Sequence, residues 1–233
     1  MPAPRQIGML LFPRLTQLDL TGPFEVLARL PNTIVHLIAH DLKPVRTDRG
    51  LTILPTTTFA DCPRLDVVMV PGGPGQQDMM DNRVALDFLR RQAASVKYIT
   101  SVCTGSLVLG AAGLLKGRRA TCHWAAIEHL EALGAIAVHE RVVVDGNIVT
   151  GAGVASGIDF ALALAAILEG EGVAREIQLQ IEYDPAPPFD SGSPATASAE
   201  TVAALRTKLA KLSAERGETA RRVGQSLGVP QPG

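Results

Sequence analysis

Three kinds of feature are scarce in this chain, and each scarcity narrows what it can be. Cysteine occurs three times in 233 residues, at positions 62, 103 and 122. So small and odd a set supplies no disulfide framework and fits a reducing compartment. Charge of one sign does not accumulate: 22 Lys and Arg stand against 23 Asp and Glu, for a net charge of −1. No basic run or stripe favours nucleic acid or an anionic membrane as a partner. Long apolar runs are also missing. The stretch 7–12 is too short for a signal sequence or a membrane span, so a cytoplasmic protein is expected. No group of His, Cys and acids has metal-ligand spacing, so no metal is expected. Gly72-Gly73-Pro74-Gly75 lacks the Gly-Lys-Ser/Thr ending of a phosphate loop, and no dinucleotide fingerprint follows the first strand.

What is present is an alternation of short apolar runs and helical periodicities. With 46% hydrophobic residues, the length suits one domain with a sizeable core. Strands are predicted at 7–12, 33–40, 66–70 and 97–102, short sheet pieces within 49–59, and a hairpin at 138–151 turning at 145–147. A further short strand is predicted at 119–122. Helices are predicted at 18–30, 83–94 (capped by Asn82), 104–115, 124–133 (closed by Gly134), 153–168 and 173–183. The pattern predicts an α/β fold: a doubly wound, mostly parallel sheet with helices on both faces, in one domain spanning 1–190. Ligands bind such sheets at the carboxyl ends of the strands, so the loops at 13–19, 71–76 and 103–105 should converge. Residues 184–193 read as an ordered crossing segment. The remainder, 191–233, reads as a helical extension. Val202, Leu205, Leu209 and Leu212 form its apolar stripe, to be laid on the body or on a dimer partner, and Arg216 and Thr219 interrupt that stripe.

Cys103 stands where the strand 97–102 breaks into a helix, between the small residues Ser101 and Gly105. A side chain on such a turn projects above the sheet, exposed to substrate, and the new helix's N–H groups favour a thiolate. That field should hold the Cys103 pKa within about 3.5–7.5 unless an ionised Asp19 opposes it. The alternative is a buried structural cysteine, as Cys62 and Cys122 are taken to be. Backbone N–H groups at Gly72 and Gly73 are candidate donors for developing negative charge, or else form an ordinary tight turn. Asp19, in apolar company at the start of the first helix, is the candidate acid or base; its alternative is the last residue of a capping box with Thr16. Glu25 is a weaker candidate. Thr104 offers a hydroxyl and an N–H beside the sulfur, or simply satisfies a helix end. His123 is weighed as a Cys–His partner and as a pocket-wall or capping residue, and the second is preferred.

Three segments carry a resemblance: Leu-Asp-Leu-Thr-Gly-Pro at 18–23, Pro-Gly-Gly at 71–73 and Ser-Val-Cys-Thr-Gly-Ser at 101–106. They resemble the ThiJ/PfpI superfamily and, within it, the isocyanide hydratase branch. The likeness extends over most of the chain, including Arg-Ala-Thr-Cys-His-Trp at 119–124 and Glu-Tyr-Asp-Pro-Ala-Pro-Pro-Phe at 182–189. It implies a flavodoxin-like homodimer without a cofactor, with Cys103 as nucleophile, Asp19 as its carboxylate partner and Thr104 beside them. The implied reaction adds water to an organic isocyanide through a thioimidate, giving an N-substituted formamide. Other members have Glu at the Asp19 position, and the peptidase-like branch has His where this chain has Thr104. Alternatives are glyoxalase-like hydration, redox sensing, or a ligand-sensing domain related to transcription regulators. The last would need a DNA-binding module that the roughly forty residues after Phe189 do not accommodate. A glutaminase would need a late His-x-Glu, which is absent.

Overall fold

The computed structural model describes residues 3–230. Its strands in chain order are β1 (Arg5–Leu10), β2 (Thr33–Ala39), β3 (Val45–Arg46), β4 (Thr52–Ile53), β5 (Thr57–Thr58), β6 (Val67–Val70), β7 (Tyr98–Val102), β8 (Arg119–Ala120), β9 (Ile136–Ala137), β10 (Val142–Asp145) and β11 (Ile148–Gly151). The helices are α1 (Gln17–Leu27), α2 (Gln76–Met79), α3 (Arg83–Ala93), α4 (Gly105–Ala111), α5 (Ser156–Glu169), α6 (Glu171–Gln180) and α7 (Ala199–Ser226). Seven strands form one sheet in the order β10-β11-β7-β6-β1-β2-β5. Every pairing in it is parallel except the hairpin β10–β11. This is the doubly wound, flavodoxin-like α/β fold. β3 with β4, and β8 with β9, make two small ribbons outside the sheet.

The central strands are buried on both faces: Val67 to Val70 and Val102 have no exposed surface, which is why these segments read as unbroken apolar runs. Helices α1 and α5 pack together over one face of the sheet, with α6 against α5. Their closest approach uses small residues. A side-chain carbon added to Gly157 would lie 3.1 Å from the Pro23 ring, and one added to Gly22 would lie 3.3 Å from Ile158. On the other face α3 and α4 pack together, and α7 rests on α2, α4 and the 3-10 segment Ile127–Leu133.

Several expected elements differ, each for a local reason. The helix after Cys103 ends at Ala111 rather than near 115, because Gly113 turns at φ +79°. Residues 127–133 wind as a 3-10 helix, and Gly134 closes it in the left-handed conformation at φ +83°. The stretch 184–193 forms neither helix nor strand and is exposed throughout, since Phe189, its large apolar residue, is 79% exposed and gives the segment nothing to bury. α7 runs unbroken for 28 residues from a Ser198 cap whose hydroxyl accepts from the Thr201 N–H at 3.2 Å. Its buried residues are Arg216, Gly217, Thr219, Ala220, Val223 and Gly224. The expected stripe lies instead in its outer half, where Leu205 is 41% exposed.

Candidate active site

β1 has β2 on one side and β6 on the other, so the chain reverses its winding direction there and leaves a crevice at the strand ends. The three loops predicted to meet do meet there. Thr16 N–H donates to the Gly72 carbonyl at 3.0 Å, and Gly75 N–H to the Arg14 carbonyl at 3.1 Å. Gly72 N–H donates to Asp19 Oδ2 at 3.0 Å, and Gly73 N–H to the Thr104 hydroxyl at 3.0 Å.

Cys103 sits between β7 and α4 with φ +58°, a left-handed conformation that costs a non-glycine residue about 1–3 kcal/mol. Its own N–H holds it there, donating to the carbonyls of Gly151 (3.0 Å) and Ala152 (2.7 Å) at the end of β11. Gly105 lets α4 start against the end of β6: an added side-chain carbon would lie 2.1 Å from the Val70 carbonyl oxygen. Ser101 and Ser106 hydrogen-bond at 2.8 Å, and Ser106 donates on to the Thr121 carbonyl at 2.7 Å. The strand, the helix start and the 119–122 segment are thereby fastened together below the sulfur.

The elbow is formed, yet Cys103 is 5% exposed rather than projecting freely. Its thiol is correspondingly pushed well above its ordinary pKa rather than into the activated range. Burial is the main cause, Asp19 and Cys122 beside it add to the effect, and the Thr104 N–H only partly opposes it. The dipole of a seven-residue helix is outweighed by the loss of solvent. The surroundings of the sulfur thus favour the thiol over the thiolate.

Asp19 has no exposed surface. Its carboxyl lies against the Cys103 thiol and is raised to about 7, chiefly by burial, with the interactions with Cys103 and the Gly72 N–H opposing and Asp48 adding a little. Oδ2 is held by Gly72, whereas Oδ1 is buried without a partner, so the contact with the thiol falls short of a well-formed hydrogen bond. Asp19 is not the end of a capping box. The Thr16 hydroxyl donates to Asp48 Oδ2 at 3.3 Å and caps no helix N–H. Glu25 points to solvent, paired with Arg29 at 2.7 Å.

Gly72 and Gly73 do not stand free for a reacting group. Both N–H donors are engaged by Asp19 and Thr104 and hold those side chains in place. A side-chain carbon on Gly72 would lie 2.5 Å from the Thr104 nitrogen and 2.9 Å from Asp19 Oδ2, and Gly73 has φ +125°. His123 braces the local backbone, its Nδ1 accepting from the Ala125 N–H at 3.2 Å. Burial, helped by the nearby Arg216 cation, lowers its pKa to about 4, so it is neutral and its acceptor nitrogen is occupied.

Two residues at this corner were not singled out as site residues in the sequence. Arg216 of α7 is 6% exposed and donates from Nε to Gln76 Oε1 at 3.0 Å; Gln76 is fully buried. The sequence signal was faint: Arg216 follows Leu212 by four residues, where the helical period calls for another buried position. No group of three or more His, Cys, Asp or Glu among the described residues is arranged to hold a metal.

A buried cysteine elbow faces a carboxyl at the switch point of a parallel sheet, and the DJ-1/PfpI family pattern matches residues 5–167. The chain belongs to the DJ-1/PfpI family. It is 56% identical to an isonitrile hydratase of Pseudomonas putida over 224 residues, covering 96% of this chain and 98% of that protein. It is 31% identical to protein DJ-1alpha of Drosophila melanogaster, covering 72% and 80%. Among solved structures, a ThiJ/PfpI family protein from Pseudomonas syringae superposes with a TM-score of 0.92 at 44% identity, covering 94% of this chain and 91% of that one.

Proposed function

We propose that this DJ-1/PfpI protein is an isocyanide hydratase, converting R–N≡C and water to the formamide R–NH–CHO. The observation that carries the reading is the pairing of Cys103 with a carboxyl group and not an imidazole, on a chain 56% identical to an isonitrile hydratase. An isocyanide carbon accepts a nucleophile and a proton at the same atom, so a thiol and an adjacent acid–base group suffice. Asp19, raised to about 7, is poised to take and return a proton near neutral pH. As the Cys103 sulfur bonds to the terminal carbon, its proton passes to the Asp19 carboxylate and then to that carbon. The product is the thioimidate R–N=CH–S. Asp19, again ionised, takes a proton from water as the oxygen adds to the same carbon and passes it to the nitrogen, giving R–NH–CH(OH)–S; the adduct's hydroxyl proton is the one the sulfur later regains. Collapse of the adduct releases R–NH–CHO, and the sulfur regains its proton. Thr104, tied to Gly73, keeps the elbow and the 71–75 loop in register.

The reaction needs no cofactor, and R–N≡C brings a narrow linear head to the buried sulfur. Three free thiols support a reducing, cytoplasmic setting. A net charge of −1 supports neither nucleic acid nor an anionic membrane as partner. The half-exposed stripe on α7 supports a homodimer. Incubation with an alkyl isocyanide should release the N-alkyl formamide; a Cys103→Ala variant with undiminished turnover would refute the reading.

A further inference from the structure

Arg216 is a buried cation that the chain itself does not neutralise. It is 6% exposed, and its hydrogen-bond partner is the neutral side chain of Gln76. No carboxylate lies within ion-pair distance of it among the described residues, and the groups whose negative charge would favour it are Cys103 and Cys122. Among the described residues its two terminal nitrogens have no hydrogen-bond partner. Gln76 adds a second unmet need: its Oε1 is taken by Arg216, and its Nε2 is buried with no partner. Guanidinium nitrogens and an amide nitrogen are all donors, so Arg216 and Gln76 together offer donors that no acceptor of the described residues takes up, although Gln77 Oε1 next to them is itself buried without a partner. Of these donors, Gln76 Nε2 is fully buried, where lacking an acceptor is costly, whereas the Arg216 terminal nitrogens are not among the fully buried unpartnered atoms and remain open to an incoming acceptor. No hydrogen bond joins Arg216 to the Cys103 sulfur among the described residues, and burial disfavours the thiolate that would accept one. Asp19 forms no ion pair with Arg216 among the described residues: its Oδ2 is tied to the Gly72 N–H, and its Oδ1 is buried without a hydrogen-bond partner.

The position is fixed from several sides. Gln77 Nε2, one residue along, donates to the Thr219 hydroxyl at 2.6 Å and to the Glu215 carbonyl at 3.1 Å. Arg222 pairs with Asp81 at 2.6 Å. These contacts clamp the inner half of α7 onto α2, so Arg216 is held beside the elbow rather than swinging free. The guanidinium fork matches a planar two-oxygen anion. We propose that Arg216 and Gln76 form a subsite for a carboxylate carried by the substrate a few bonds from the carbon that Cys103 attacks. This rests on the hydratase reading for the identity of the substrate, though not for the existence of the subsite. It selects isocyanides that bear an acidic group over their neutral esters.

The test separates the two claims. Site-resolved mass spectrometry would follow alkylation of Cys103 by iodoacetate, which is anionic, and by iodoacetamide, its neutral counterpart. The rate ratio in the native protein should exceed that of free cysteine roughly tenfold in favour of iodoacetate. Arg216→Gln should reduce that ratio toward the free-cysteine value, and Arg216→Lys should leave it in between. The same protein would be given isocyanoacetate and its methyl ester, and kcat/KM should favour the acid through KM. A native ratio equal to that of free cysteine overturns the subsite, and that measurement needs no variant to fold. So does an Arg216→Gln protein in which both reagents slow in proportion, which would make Arg216 a positioning residue. If neither isocyanide is hydrated, the hydratase reading fails, and the alkylation ratio still decides the subsite.

Discussion

Two buried charges flank the same sulfur, and they differ in nearly every respect. Asp19 lies in the first turn of α1, nine residues beyond the end of β1, and is held by a backbone N–H. Arg216 comes from the far end of the chain, on a helix laid over the other side, and is held by a side-chain amide. Burial acts on both by disfavouring the charged form. For Asp19 that moves the pKa to about 7, so the residue escapes the cost by holding a proton. A guanidinium cannot do so at any relevant pH. The contrast separates two jobs. An adjustable charge suits proton transfer, and a fixed one suits holding an anion.

The largest expected effect breaks the first half of that contrast. Asp19→Asn keeps the shape and an acceptor for the Gly72 N–H but removes proton transfer, so kcat should fall by about 10²–10⁴ with the fold intact. In the unmodified protein, kcat/KM should rise as pH climbs through about 7, because the ionised carboxyl receives the thiol proton. A flat profile between pH 5.5 and 8.5 would remove Asp19 as the base.

Stability should move the other way. Unfolded, Asp19 loses its proton near 3.8; folded, it holds it to about 7. Between those values the native state binds more protons, so this group's contribution to stability is greatest below pH 4 and is lost as pH rises to 7. Three units correspond to about 4 kcal/mol. Asp19→Asn should therefore gain on the unmodified protein by up to about that amount between pH 4 and pH 8 in denaturant unfolding. Equal pH dependence in the two proteins would contradict a carboxyl protonated by burial.

How much of this was legible in the sequence follows from how local each feature is. The strand order's parallel core, the elbow at Cys103, the convergence of three loops and the Asn82 cap, which accepts from the Ala85 N–H at 3.2 Å, all rest on short-range patterns. So they could be read from apolar runs, small residues and capping chemistry. Three features depend on what lies across space. The burial of Cys103 is set by the packing around it, and burial together with the opposing Asp19 raises its pKa where the helix start alone would lower it. The engagement of the Gly72 and Gly73 N–H groups depends on side chains 53 and 31 residues away. The depth of Arg216 depends on the α7–α2 clamp. Reading Arg216 and Thr219 as interruptions of a stripe mistook the helix's inner contact for its end.

The glycine at position 72 sharpens the comparison, because it stands against Asp19 and not Arg216. Gly72→Ala would force a carbon to within 2.5 Å of the Thr104 nitrogen and 2.9 Å of Asp19 Oδ2. Overpacking of this kind costs about 1–3 kcal/mol, and by displacing Asp19 it should depress kcat more than KM. Gly172→Ala in α6, with open space around it, is the control; there stability should hold or rise by up to about 1 kcal/mol.

The smallest expected effect on the folded chain concerns the outer half of α7, which lies away from both charges. Leu205 is 41% exposed, and Val202, Leu209 and Leu212 are only half-buried beside it. Leu205→Glu should change the unfolding free energy of a single chain by no more than about 0.5 kcal/mol. If a second copy covers the stripe, the same change places a charge in an apolar contact and should weaken self-association about tenfold or more. Sedimentation across a concentration series reads that directly. An unchanged mass would move the interface off this helix and leave α7 with one role, the delivery of Arg216. A mass shift accompanied by a loss of single-chain stability would mean that the stripe is bound to its own body more firmly than its exposure indicates.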